Sequence, residues 1–371
     1  MKKKLLIIVF VLIISALSFA RSFLGLVGAV PWHYGYSDIF NEDRIGIEAA
    51  KKIPYLEKSI EYPVLTGFFI YLSWHLGKSL LGYALITWIF LTLCMATTAL
   101  VLYKLAHLLK ISEERTYWFF IFAPSLIFFS IYNWDIVAVM LTVLAIYFFY
   151  NNKFGVSAAF LSLGFNAKLF PIVILPIMLL KTNLKQGIKM TSIFLIIFLI
   201  LNLYFIVNSF DVWKDTYTFH SLREPNTDSI WALTHLKTTT INILSTALFL
   251  LSYLTLVYYN KKYDFISLSF MSLLLFLIFN KIFSPQYLLW LLPFFVLWEI
   301  MARKVFYALE VSNLIVFFST TYWIFASKEQ VFLIVSNIFT IARSLVLIYI
   351  LYLVLVKAPN SRVEPKPLYS T

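Results

Sequence analysis

A few polar segments interrupt an otherwise apolar chain, and their residue types can do acid–base and anion-binding chemistry. Tyr34-Gly35-Tyr36-Ser37-Asp38-Ile39-Phe40 sets a carboxylate among aromatics that can stack on a sugar ring, an arrangement suited to taking a proton from a hydroxyl nucleophile. Asp38 also fits a plainer role as the cap of a short helix. Glu42, Asp43, Glu48, Glu57 and Glu61 keep this stretch acidic up to Tyr62-Pro63-Val64-Leu65. In Asn133-Trp134-Asp135, Asp135 is a helix N-cap, a second site carboxylate, or both. Lys168 stands directly before Leu169-Phe170-Pro171, a cation suited to a lipid phosphate, with snorkelling toward water as the bland alternative. Residues 209–237 bring His220, Arg223 and His235, which can bind phosphate or steady a leaving group, although a solvated loop carries such charges too. Asn280-Lys281-Ile282-Phe283-Ser284-Pro285-Gln286-Tyr287 holds more hydrogen-bonding groups than a plain turn requires; Pro285 as a helix start, with Tyr287 and Trp290 as an interfacial belt, is the simpler account.

The elements that must position these groups follow from composition. The chain has 61% hydrophobic and 13% charged residues, against roughly 45–50% and 25% in soluble domains, so its solvent is lipid. Long apolar runs without barrel-type alternation mean helices, because backbone polar groups in hydrocarbon must be satisfied within their own segment. The fold class is therefore all-α, a polytopic transmembrane bundle. Lys2, Lys3 and Lys4 followed by an apolar stretch resemble a secretory signal ending near Ala16, Ser18 and Ala20, but Arg21 and further apolar residues favour an uncleaved anchor. Cys94, alone in an apolar run, offers no disulfide or metal-ligand spacing. The net charge of +12 is explained by basic loops at a membrane surface and needs no nucleic acid.

With Lys2–Lys4 in the cytoplasm, spans are expected near 5–24, 80–103, 116–132, 136–150, 154–165, 169–180, 188–208, 239–259, 265–279, 286–300, 305–325 and 330–356, about twelve crossings. Residues 62–77 are an interfacial or re-entrant helix in the first outer loop, and both termini are cytoplasmic. Most Lys and Arg then fall on short inner connections, as the positive-inside rule requires. Counting 62–77 as a crossing and 154–180 as one helix would flip the middle of the molecule and move Lys104, Lys110, Arg115 and Lys153 outside. In the preferred topology Asp38, Asp135, Lys168, His220, Arg223, His235 and Lys281 share the non-cytoplasmic side. Spans 154–165 and 169–180 reach only about 18 Å each, against about 30 Å of hydrocarbon, so the Gly164–Lys168 turn is recessed and should line an outward cleft. Residues 1–356 form one membrane domain. Residues 357–371 are a short polar cytoplasmic tail expected to be disordered.

Taken in order, the aspartate after the first span, Glu61-Tyr62-Pro63-Val64-Leu65, Asn133-Trp134-Asp135, Ala167-Lys168-Leu169-Phe170-Pro171 with Leu175-Pro176, Phe219-His220-Ser221-Leu222-Arg223, and Asn280-Lys281 with Ser284-Pro285-Gln286-Tyr287-Leu288-Leu289-Trp290 resemble the GT-C glycosyltransferases that use polyprenyl-phosphate sugars. The likeness is to polyprenol-phosphate-mannose-dependent mannosyltransferases and to the catalytic subunit of the first GPI mannosyltransferase, over roughly residues 5–300. The sequence departs from them in having Tyr62-Pro63-Val64 where Tyr-Pro-Pro or Tyr-Thr-Pro is common, and in a first loop without a second aspartate close to Asp38.

The resemblance implies a GT-C bundle with Asp38 as catalytic base, acting on the non-cytoplasmic face with inversion. It implies a polyprenyl-phosphate sugar donor, mannose by expectation, and a lipid-linked or glycan acceptor. Lys168, Arg223 and Lys281 would hold the donor phosphate, and Asp135, His220, His235, Tyr62, Gln286 and Tyr287 would contact substrate. Membrane lipids are the surroundings, in the cell membrane of a prokaryote or alternatively the endoplasmic reticulum. No cofactor is expected, and no ligand cluster requires a metal, although the loop carboxylates can bind one. Competing readings are a transporter or lipid scramblase, for which intramembrane Arg343 and recessed Lys168 speak, and a non-catalytic subunit of a glycan assembly complex. No paired inverted repeat supports the transporter.

Overall fold

The computed structural model describes residues 2–41 and 50–358, and among these it is helical, with no strand. Glu42, Asp43, Glu48 and the tail beyond Ala358 lie outside the described residues. In chain order the main helices are α1 (Lys2–Leu26), α2 (Val64–Gly77), α3 (Leu80–Leu108), α4 (Asp135–Tyr150), α5 (Phe154–Ala167), α6 (Leu184–Asn208), α7 (Phe210–Leu222), α8 (Thr238–Tyr258), α9 (Phe265–Phe279), α10 (Arg303–Tyr322) and α11 (Gln330–Lys357). Among the described residues six of them, α1, α3, α6, α8, α10 with the turn continuing it to Ser327, and α11, are long and apolar enough to cross a membrane. The protein is thus a helical bundle with membrane-embedded character.

The remaining apolar pieces are short. Residues 62–77 give α2, whose 14 residues extend about 21 Å, less than a bilayer core. α5 ends at Ala167, and Phe170–Leu180 follows as a 3-10 turn running into a short helix. Two expected continuous spans are broken. Residues 116–132 divide into a π-helical turn, Tyr117–Ile121, and the helix Pro124–Phe129, because Pro124 brings no amide hydrogen and pushes Ala123 into extended backbone. Residues 286–300 divide into a 3-10 segment, Pro285–Trp290, and Leu292–Leu297.

Burial separates centre from periphery. On α9 nearly every side chain from Phe265 to Leu277 is buried, the mark of a helix surrounded by others. On α6 only Met190, Phe194 and Asn202 are buried, and Leu195, Leu199, Ile200, Leu203 and Val207 point away from the protein. α8 is similarly bare.

α1, 25 residues or about 37 Å long, defines the two ends of the bundle. At one end Tyr117 Oη donates to Lys3 O (3.0 Å) and Lys3 lies 3.5 Å from Glu113. Nearer the other end, α1 presents the small residues Ser15, Ser18, Ser22 and Gly25, which let neighbours approach closely. Ser18 Oγ accepts from Ile131 N (3.1 Å), and Ser22 Oγ donates to Ile131 O (3.4 Å). Gly25 packs on Gly35 so tightly that a Cβ on Gly25 would sit 2.9 Å from the Gly35 carbonyl oxygen. The first loop and the 131–135 turn are thereby fixed at the same end of the molecule.

Candidate active site

Asp38 sits in a 3-10 turn, Asp38–Phe40, held against the 131–135 connection. The cap is not Asp38 but Ser37, whose Oγ accepts from Ile39 N and donates to Tyr132 O (2.8 Å). Ile39 N donates to the same carbonyl, and Tyr83 Oη donates to Ile39 O, both at 3.3 Å. Asp38 is buried, and the nearby Tyr36 hydroxyl favours its ionised form. Burial, followed by the negative charge of Glu61, pushes its carboxyl up to about 7, against a partial offset from Lys168.

Asp135 opens α4, and it too is relieved of capping: Asn133 Oδ1 accepts the Asp135 amide (3.0 Å). Its carboxylate instead meets Lys168 Nζ at 3.0 Å through one oxygen and accepts from Trp290 Nε1 at 3.0 Å through the other. Lys168, in extended backbone just past α5, is oriented by the Thr66 bond to Ala167 O (2.8 Å). Its ammonium lies 4.2 Å from the Tyr62 ring, 5.3 Å from Tyr287 and 6.0 Å from Trp290. Tyr287 stacks on Trp290, and Trp290 on Phe170. Lys168 is thus enclosed by a carboxylate and three aromatic rings, a setting in which cation–π attraction is strengthened by desolvation. It does not snorkel, and it is more enclosed than the wall of an open cleft would be.

A second ion pair lies alongside. Arg223 Nη1 meets Glu61 Oε1 at 2.6 Å, and its Nη2 donates to Asn226 Oδ1 (2.7 Å). Asn226 Nδ2 donates to Ser284 Oγ (2.6 Å), joining the end of α7 to the 280–287 segment. His220 Nε2 donates to Glu61 O (3.0 Å), and Lys281 Nζ donates to the carbonyls of Ser221 (2.9 Å) and Arg223 (2.7 Å). Burial, opposed by Glu61 and reinforced by Lys168, lowers the His220 imidazole below its ordinary value. Burial and Arg223 lower the Lys281 ammonium.

The structure therefore brings Asp38, Tyr62, Asp135, Lys168, His220, Arg223, Lys281 and Tyr287 into one group at the end of the bundle opposite Lys3. Gln286 is buried on the same short segment as Tyr287, and His235 is exposed after Ile230–Thr234 in left-handed backbone; among the described residues no hydrogen bond ties either to the group. Sequence reasoning named but did not count among the site residues Glu61, which pairs with Arg223 and is the strongest charge acting on Asp38, and Trp290, which it gave to an interfacial belt. The signal for Glu61 was its place directly before Tyr62-Pro63. A shallow depression of about 310 Å³ between Ser112–Phe119 and Met301–Arg303 lies at the Lys3 end, where Arg115 is bound to the carbonyls of Phe295, Val296, Trp298 and Glu299. Among the described residues no three His, Cys, Asp or Glu side chains gather as a metal site.

Chemically, the group offers a carboxyl that titrates near neutrality beside paired cations, the equipment for activating a hydroxyl next to an anionic leaving group. Searched against known proteins, the chain matches no family model and no curated sequence.

Proposed function

We propose that the chain is a membrane glycosyltransferase of GT-C type, moving a sugar, mannose by expectation, from a polyprenyl phosphate to a lipid-linked or glycan acceptor. The reading includes about twelve crossings, cytoplasmic termini and a site on the non-cytoplasmic face. The observation that carries it is the convergence of Asp38 with the Asp135–Lys168 and Glu61–Arg223 pairs and with Lys281, residues scattered across most of the chain.

Asp38 Oδ takes the proton of the acceptor hydroxyl. The hydroxyl oxygen forms a bond to the anomeric carbon as the bond from that carbon to the phosphate oxygen breaks, and the bonding pair leaves with polyprenyl phosphate. Configuration inverts, and the proton passes from Asp38 to water between turnovers. The phosphate goes from a singly charged diester to a more highly charged monoester, so catalysis rests on cations that interact more strongly with the product-like charge. Arg223 and Lys281 are placed for that contact. Lys168, paired with Asp135, adds a fixed positive charge. A base near 7 suits this work, because it is half available at neutral pH and still basic enough to help the attack.

The test is incubation of the purified chain with polyprenyl-phosphate mannose and a glycolipid extract, with products read by mass spectrometry. A product heavier by one hexose, together with released polyprenyl phosphate, is expected. Movement of the lipid or its headgroup across vesicle membranes without covalent change would replace the enzyme with a transporter.

A further inference from the structure

Two arginines within long apolar helices make no ion pair among the described residues. A guanidinium at membrane depth is costly, and such residues are ordinarily read as parts of a substrate pathway. Here their donors go to backbone carbonyls and to the side chains of Ser22 and Asn313. Arg21 Nη1 donates to Tyr34 O (2.8 Å) and Tyr36 O (3.3 Å), and Nη2 to Phe128 O (3.1 Å). Tyr36 is two residues from Asp38. Arg343 is fully buried; its Nη1 donates to Asn313 Oδ1 (2.8 Å), its Nη2 to the carbonyls of Asp228 and Phe283, and its Cζ lies 4.0 Å from the Phe283 ring centroid. Asn313 Nδ2 donates in turn to Pro285 O (2.9 Å).

The carbonyls gripped by Arg343 and Asn313 flank Ser284, which receives Asn226, and lie between Lys281 and Tyr287. Asp228 is two residues past Asn226, on the segment that leads from Arg223. A planar fork of donors in fixed geometry suits carbonyls on separate segments, whereas an ammonium is a compact point charge on a flexible stem and does not present the same fixed directions. Without such donors these carbonyls would be buried and unpaired.

We propose that Arg21 and Arg343 are positioning residues for the two halves of the site. Arg21 sets the segment that carries Asp38. Arg343, through Asn313, sets the segments that carry Arg223, Asn226 and Lys281. The division of labour in kinetics rests on the glycosyl-transfer reading, whereas the local ordering of the loops does not.

The experiment uses the full-length purified chain with Arg21→Lys, Arg343→Lys and Arg343→Gln; the last removes the intramembrane charge together with the fork and guards against a lysine variant that fails to fold. Arg343 variants should raise the donor KM about tenfold with kcat within about twofold, and Arg21→Lys should lower kcat about tenfold with donor KM unchanged. Amide exchange should quicken at 226–231 and 282–287 in the first case and at 34–41 in the second. Equal losses in kcat and KM from both sites, or exchange quickened evenly through the bundle, would reduce both arginines to general structural supports. If the wild-type chain transfers no sugar, the proposed function fails and exchange alone decides: site-local quickening keeps the two clamps, and unchanged exchange in these loops overturns them.

Discussion

The two ion pairs of the site have the same chemistry and opposite settings. Lys168 and Asp135 leave 13% and 0% of their side chains exposed, and their remaining surroundings are rings and the Trp290 indole. Arg223 and Glu61 leave 25% and 22% exposed and are bordered by polar groups such as the Asn226 side chain. An enclosed pair cannot trade partners without exposing a bare charge to a dry environment. A half-exposed pair can, because water or an incoming anion replaces what is lost. On the proposed function, the first pair would belong to the architecture around the reaction and the second to the surface that a substrate phosphate would meet.

That contrast can be broken most forcefully at Lys168. Lys168→Met leaves Asp135 buried and unpaired, and the expected loss is about 3–5 kcal/mol of stability, read by thermal unfolding in detergent. Adding Asp135→Leu should restore most of it. A single variant as stable as wild type would show that Lys168 is held for a ligand rather than for the fold. Arg223→Gln should cost under about 1 kcal/mol of stability, since its pair is partly solvated, while raising the donor KM about tenfold. Equal damage to folding from both cations would erase the distinction between the pairs. The smallest effect is expected from Glu61→Gln, which frees Arg223 for the phosphate and should lower the donor KM by about two- to threefold, an affinity gain of under 1 kcal/mol. A higher donor KM would mean that Glu61 orients Arg223 rather than competing for it.

Much of this arrangement was legible in the sequence. α9 has the expected bounds because an unbroken apolar run lies between Asp264, which caps it, and Asn280. The shortness of 62–77 and of the segments on either side of Gly164–Lys168 followed from counting residues against a bilayer. The breaks at Pro124 and through Pro285–Trp290 were harder, since the flanking residues are as apolar as any span and only the proline geometry interrupts them. The pairing of cations was not legible at all. Lys168 with Asp135 and Arg223 with Glu61 join residues far apart in the chain, and a carboxylate near a helix start looks the same whether it caps or pairs. Only the structure shows that Ser37 takes the capping work beside Asp38 and that Asn133 Oδ1 accepts the Asp135 amide, which leaves the carboxylates of Asp38 and Asp135 for other contacts. Arg343, an argument for a transport pathway in sequence, is bound to Asn313 and to the carbonyls of Asp228 and Phe283.

Asp38 links both pairs electrostatically and sets the pH behaviour. Its folded-state value near 7 exceeds the ordinary carboxylate value, so the folded protein holds this proton more tightly than the unfolded chain. The stability so gained is complete below the ordinary carboxylate range and is lost as pH rises through about 7. Asp38→Asn should remove that slope from the melting temperature between pH 5 and 8.

The most direct measurement is the rate of hexose transfer by purified wild-type protein and Asp38→Asn across the same pH range. Wild-type kcat should climb with pH to a plateau, with an apparent value near 7, and the variant should be folded, slower by about 100-fold or more, and without that inflection. Transfer by Asp38→Asn at the wild-type rate, or an unchanged inflection in the variant, would contradict Asp38 as the base.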